Sequence, residues 1–265
     1  MFLIFGSYPA VLHGEPVVAP MKRAHAHNDY YHPRPLLDAL DQGFCSIEAD
    51  VFAVNGKLLI GHDQRELTDD RTFESLYLRP LAERVRAGGG RVFADAPPLL
   101  LLVDFKSDAA ETYALLQPLL GQYESILVRD RDGVQRVGAV QVIISGNRPF
   151  DQIASDPNRL AYIDGRLSDL SKPETSNWMP LISDHWGSHF RWRGRGQLEE
   201  AERLRIRELL ELAHQQGRRV RFWATPDHAE AWSGLYELGV DLINTDDLVG
   251  LGTFLRSVEE AREDE

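Results

Sequence analysis

The run LLLLVDFK, Leu99–Lys106, decides how the rest of the chain is read. An unbroken apolar stretch behind Pro97-Pro98, too short for a helix of its own, marks a strand buried on both faces. Strands are buried on both faces when helices cover the sheet, which is the habit of parallel sheets. VQVIIS, Val140–Ser145, is a second strand of that kind. Working outward, strands are predicted near residues 24, 48, 102, 142, 162, 181, 222 and 242. Most are separated by helical segments: Leu36–Asp41, Phe73–Arg86, Ala109–Leu120, Gln197–Gln216, His228–Leu238 and one from Leu248. In Gln197–Gln216 the inner stripe is assigned to Leu204, Leu209 and Leu212. Asn55-Gly56 and Asp132-Gly133 mark hairpins. Eight such alternations predict an α/β fold, a (β/α)₈ barrel of the TIM type with irregularities, and a doubly wound open sheet is its rival. Residues 1–20, interrupted by Gly6, Pro9, Gly14, Pro16 and Pro20, read as an irregular arm, and residues 21–265 as one barrel domain.

The chain has 265 residues, 43% of them hydrophobic, enough for a sizeable core. Its formal net charge of −12 argues against a nucleic-acid groove or adsorption to anionic membranes. An anionic substrate is still allowed, because a bound cation and a few bases can invert the field inside a pocket. Cys45 is the single cysteine, so the fold has no intrachain disulfide. No apolar run approaches the roughly 20 residues of a membrane span. The first 20 residues carry no basic segment ahead of their short apolar run, so as written they are not a secretory signal. Compartment and oligomeric state stay open.

In a barrel, chemistry sits at the carboxyl ends of the strands. There the sequence places His25, then Glu48 and Asp50, then Asp104 and Lys106, then Ser145 and Asn147. Asp164, the run Ser183-Asp184-His185, Trp223, and Asn244 with Asp246 follow on the later strands. Glu48 and Asp50 are two apart on a strand and so share a face, as do Asp104 and Lys106. Bare carboxylates crowded in a barrel mouth repel one another unless a cation sits among them. Oxygen donors without thiolates suit a hard ion, so Glu48, Asp50 and Asp104 are candidate ligands of one Mg²⁺ or Ca²⁺. His25 and His62, each ending a strand beside these carboxylates, are candidate catalytic groups. Lys106, Asn28, Asn147 and Trp223 are candidate substrate contacts.

The H-x-H-N-D-Y opening at His25–Tyr30, ISGNRP at Ile144–Pro149 and YIDGR at Tyr162–Arg166 resemble a known group. It is the phosphatidylinositol-specific phospholipase C and glycerophosphodiester phosphodiesterase superfamily, and the likeness is greatest to its "altered inheritance of mitochondria" branch. VRFWATPD, Val220–Asp227, and LGVDLINTDD, Leu238–Asp247, are similar to the glycerophosphodiesterase ending. The resemblance implies an irregular barrel that hydrolyses phosphodiesters with one divalent metal. It implies His25 and His62 as the catalytic pair, Glu48, Asp50 and Asp104 as ligands, and Lys106 against the phosphate. The substrate implied is a small glycerophosphodiester or (lyso)phospholipid. Departures are His25-Ala26-His27 where glycerophosphodiesterases read H-R-G, the missing P-E-N-T, and a D-x-K in place of E-x-K that is closer to sphingomyelinase D enzymes.

Two rivals differ in kind. His25-x-His27, with His185 and Asp246, could be the zinc site of an amidohydrolase barrel, which would leave Glu48-x-Asp50 without a role. The barrel could also bind a phosphorylated ligand without turning it over.

Overall fold

The structure is a computed structural model and describes residues 18–263, so all but the last three residues of the predicted amino-terminal arm lie outside it. In chain order the strands are β1 (Met21–Ala26), β2 (Phe44–Val54), β3 (Lys57–Ile60), β4 (Leu99–Phe105), β5 (Arg129–Arg131) and β6 (Val134–Arg136). They continue as β7 (Val140–Gly146), β8 (Tyr162–Gly165), β9 (Leu181–His185), β10 (Arg219–Trp223) and β11 (Ile243–Thr245). The α-helices are α1 (Leu37–Gln42), α2 (Arg79–Ala87), α3 (Ala109–Gln122), α4 (Phe150–Ser155), α5 (Trp186–His189), α6 (Glu200–Gln215), α7 (Ala229–Leu238) and α8 (Leu248–Glu263).

All eight predicted strands form, paired in parallel in the order β10-β9-β8-β7-β4-β2-β1-β11, with β3 folded antiparallel on β2. The ends of this sheet meet. Leu242 N donates to Val220 O at 3.2 Å and Arg221 bridges Leu242 in parallel, so the barrel nearly closes and the open-sheet rival is excluded. Alternation along the strands then divides the apolar residues between two layers. Ile47, Ala49, Val51, Leu101, Val103 and Phe105 join the main cluster packed beneath the helices. Leu100, Leu102, Ile143, Tyr162, Leu181 and Leu242 form a separate cluster with Val128, the inward-facing core. This is why LLLLVDFK reads as continuously apolar: each of its faces meets a different core.

Two helices depart from expectation. On α6 the stripe against the barrel is Ile206, Leu210 and Ala213, spaced i, i+4, i+7, with Leu209 packed at its edge as expected, whereas Leu204 and Leu212 are 50% and 40% exposed. Leu204 and Leu212 fall on the far side of the helix from the stripe that packs on the sheet. The predicted helix Phe73–Arg86 is a π-helical turn, Glu74–Leu78, followed by α2. Pro80 lies just inside α2, and its missing N–H interrupts the regular ladder at this junction. The β5–β6 hairpin expected at Asp132-Gly133 packs against Tyr162 at the amino-terminal end of β8, and Leu127 just ahead of it bridges Val140 of β7. Among the described residues no helix is long and apolar enough to cross a membrane.

Candidate active site

Strand β2 sets the site. Ser46, Glu48 and Asp50 follow one another at intervals of two and are all buried. Register places Asp50 beside Asp104 of β4, and Asp104 beside Ser145 of β7, a polar row across three strands at the carboxyl end. The row rests on the inward apolar layer of Leu102 and Ile143, one step down the same strands.

Glu48 is held from below. Its Oε2 accepts from Arg221 Nη2 and, at 3.0 Å, from His25 Nε2. Arg221, 3% exposed, also donates from Nε to Asn244 Oδ1 at 2.7 Å. Burial would raise the Glu48 carboxyl, but the Arg221 guanidinium and the His25 bond outweigh it and hold the group well below the usual carboxylate range. His25 has no exposed surface, and its Nδ1 lies 2.7 Å from Ser46 Oγ. Burial, with Arg221 beside it, pushes its imidazole down to about 3. A neutral ring donating to Glu48 and accepting from Ser46 satisfies both nitrogens.

Asp50 is held from the side. Its Oδ2 is 2.8 Å from Tyr30 Oη, 3.0 Å from His62 Nδ1 and 3.1 Å from Lys106 Nζ. Its Oδ1 is buried and has no hydrogen-bond partner among the described residues. Lys106 Nζ also lies 3.4 Å from Asp104 Oδ1. Burial, against Lys106 but with Glu48 and Asp50 nearby, pushes the Asp104 carboxyl up to about 6. Room for that carboxylate comes from Gly146, in ISGNRP. A Cβ there would stand 2.2 Å from Asp104 Oδ1, and the backbone φ of +66° independently favours glycine.

Oxygens of Glu48, Asp50 and Asp104 can come within 4.8 Å of one another, and among the described residues this is the one group of three or more His, Cys, Asp or Glu side chains that could hold an ion. The orphaned Asp50 Oδ1, the space kept by Gly146 and the all-oxygen donor set fit a hard divalent cation. The zinc arrangement fails on the same ground. His25 is sealed below Glu48, His185 contacts Ser188 and Trp223, and His27 pairs with Asp246, so the four do not converge.

His27, just past β1, stands where the cavity opens. Its Nδ1 is 2.8 Å from Asp246 Oδ1, while Asp246 N is fixed by Asp227 Oδ2 at 2.8 Å. Burial alone would lower His27, but the Asp246 bond and the Glu48 charge prevail and raise it. A cavity of about 240 Å³ is walled by His27, Asn28, His62, Lys106, Arg166 and Trp223, with Glu48, Asp104 and Arg221 at its base. Of the expected site residues, His62, Glu48, Asp104, Lys106, Asn28 and Trp223 line this cavity, and Asp50 supports it. Asn147 does not; it points outward, with Nδ2 on Ser107 O at 2.8 Å. His25 does not either.

Sequence reasoning passed over Arg221, Tyr30, Arg166 and Gly146, and considered His27 only for zinc. Arg221 was within reach: it is two residues before Trp223 on one strand, so the two must share a face. Nothing in the sequence announces that Tyr30 Oη would join Asn28, Asp50 and His62 at 2.7, 2.8 and 3.3 Å.

The fold and site define a class: a parallel barrel with a carboxylate triad at the mouth and two histidines over it. Residues 16–164 match the AIM6-like phosphodiesterase domain, and residues 219–248 match the glycerophosphoryl diester phosphodiesterase family. The chain belongs to the AIM6-like phosphodiesterase domain family. It is 30% identical to Altered inheritance of mitochondria protein 6 of Eremothecium gossypii over 282 residues, 89% of this chain and 70% of that protein. To the homolog of that protein in Arthroderma benhamiae it is 29% identical, over 84% of this chain and 81% of the relative. The fold is shared with a glycerophosphodiester phosphodiesterase from Parabacteroides distasonis (TM-score 0.55, 15% identity, 91% of this chain and 98% of that one). It is also shared with an Oleispira antarctica phosphodiesterase solved with its product sn-glycerol-3-phosphate (TM-score 0.52, 16% identity, 92% and 97%).

Proposed function

We propose that this chain is a metal-dependent phosphoric diester hydrolase acting on a glycerophosphodiester or (lyso)phospholipid-type substrate, with His27 and His62 as its acid–base pair. The observation that carries this reading is that both imidazoles line the cavity that also holds Glu48, Asp104 and Lys106, with Asp50 grouped beside the two acids. The role expected of His25 passes to His27, because a group with no exposed surface and two occupied nitrogens cannot meet a substrate.

A diester carries negative charge that repels nucleophiles. A divalent ion held by Glu48, Asp50 and Asp104, as Mg²⁺ or Ca²⁺, would neutralise charge on its non-bridging oxygens. Lys106, steered by Asp50 and Asp104, adds a second positive centre at the same wall. His27 is oriented by Asp246, and His62 by Asp50, each through Nδ1, which leaves each Nε2 for the substrate. One imidazole takes the proton of the attacking hydroxyl as its oxygen bonds to phosphorus. The other gives a proton to the leaving oxygen as its bond to phosphorus breaks. Asn28 and Trp223 flank the phosphate's alcohol arms at the cavity wall.

His27→Ala and His62→Ala should each lower turnover of bis(p-nitrophenyl) phosphate by about 10²–10⁴-fold, with the thermal midpoint little changed. Unchanged turnover in either variant contradicts the assignment. A wild-type protein that binds the diester and never cleaves it, with or without divalent ion, would instead be the non-catalytic barrel.

A further inference from the structure

The cavity has a second pole, at Trp223, whose arginine the proposed chemistry does not use. In the strand order, β8 lies across the barrel from β1, and β10 across from β4, so Arg166 and Trp223 face the histidine and carboxylate side. Arg166 closes the YIDGR stretch and is mounted rather than free. Its Nη1 donates to Asp164 Oδ2 at 2.9 Å and to Gly165 O at 2.9 Å. Asp164 is fully buried, takes Ser145 Oγ at 2.7 Å on the same oxygen and Ser183 Oγ on the other, and so has no freedom to swing. A second guanidinium stands behind the same strand end, with Arg148 Nη1 on Asp164 O at 2.6 Å. The carboxylate is therefore turned away from the cavity and the Arg166 charge is turned into it.

The mount also sets Arg166 over an aromatic face: its guanidinium carbon is 4.8 Å from the centre of the Trp223 ring. His185 meets the same ring edge-on at 6.3 Å. Quaternary and primary ammonium groups are recognised by such faces, and here the face is already covered by a fixed cation. A choline- or ethanolamine-type arm would meet like charge instead of the indole. An arm bearing a carboxylate or phosphomonoester would meet a planar, immobilised donor fork suited to it.

We propose that Arg166, stacked on Trp223 and anchored by Asp164, forms a headgroup subsite that selects phosphodiesters with an anionic arm and rejects quaternary-ammonium arms. This deepens the diesterase reading and rests on it for the word substrate. Discrimination of this kind combines attraction of one class with repulsion of the other.

Binding tests the subsite separately from turnover. On a His62→Ala background with Mg²⁺ present, calorimetry with sn-glycero-3-phosphoinositol 4-phosphate and sn-glycero-3-phosphocholine should show at least a tenfold preference for the anionic probe. Arg166→Met should reduce that ratio to about threefold or less by weakening the anionic probe, and Arg166→Lys, which keeps the charge, should retain a preference above threefold. Equal affinities, a preference for the choline probe, no binding of the anionic probe, or a ratio indifferent to Arg166→Met overturns the proposal. So does a lysine variant as unselective as the methionine one. Turnover by the wild type is read apart. Selective binding without cleavage rejects the diesterase reading and keeps the subsite, whereas cleavage without selectivity does the reverse.

Discussion

At the amino-terminal ends of β7 and β8, Asp130 accepts from Tyr162 Oη at 2.8 Å and faces Arg159 Nη1 at 3.0 Å, and Gln135 Nε2 closes on the Tyr162 hydroxyl at 3.2 Å. One acid meets one base there, Asp130 Oδ1 taking the hydroxyl and Oδ2 facing the guanidinium. At the carboxyl-terminal ends of β2 and β4, three acids share Arg221 and Lys106, and Asp50 Oδ1 is left with none. Asp130, Glu48 and Asp50 are all buried, so burial alone does not distinguish a structural charge from a functional one. The balance of charge does. A pair of one acid and one base balances its own charge, and an acid surplus facing a cavity is a place for something the chain does not itself supply.

The largest contrast is expected from breaking each end in turn. Arg159→Met leaves Asp130 buried with its charge uncompensated and should lower stability by about 3–5 kcal/mol, read by urea unfolding, while turnover per folded molecule holds. Asp104→Asn should do the opposite. Removing one of three crowded acids should raise the stability of the metal-free protein by on the order of 1 kcal/mol while turnover collapses. If Asp104→Asn destabilised the metal-free protein as Arg159→Met does, the two ends would be alike and the contrast would be lost.

A smaller effect sharpens the comparison at another buried acid. Asp29 lies in the turn after His27, where its Oδ2 takes Leu36 N at 2.5 Å and Tyr77 Oη at 3.0 Å. Those bonds hold Leu36, a buried residue at φ +66°, in a conformation that a bulky side chain rarely adopts. Burial pushes the Asp29 carboxyl up to about 7. Its folded value is raised, so the folded state binds the proton more tightly than the unfolded chain does. The stability this contributes is present at low pH and falls away between about pH 4 and pH 7. Asp29→Asn keeps an acceptor without the charge, so its thermal midpoint should fall less than that of the wild type across this interval. Parallel curves would show that Asp29 does not titrate with folding.

Much of the barrel could be read in advance because strand burial writes itself into composition. LLLLVDFK and VQVIIS lie between two cores, and only a parallel sheet under helices provides that. Glu48, Asp50, Asp104 and Lys106 were equally legible, since alternation fixes which side chains share a face. His25 and His27 show where the method ran out. Both belong to the same short motif, yet β1 ends between them at Ala26, and that one boundary sends His25 into the floor and His27 to the cavity. Strand ends are decided by the neighbouring β2 and β11, which local sequence does not contain. Tyr30 and Arg166 escaped for a related reason: their partners lie on distant elements, Asp50 and Trp223 among them.

Titrating Mg²⁺ or Ca²⁺ into metal-stripped protein by calorimetry tests the acid surplus at the mouth most directly. The wild type should take up one ion, and both Asp50→Asn and Asp104→Asn should weaken that binding at least tenfold while remaining folded. A wild type that binds no divalent ion, or one whose affinity survives both substitutions, would contradict the account.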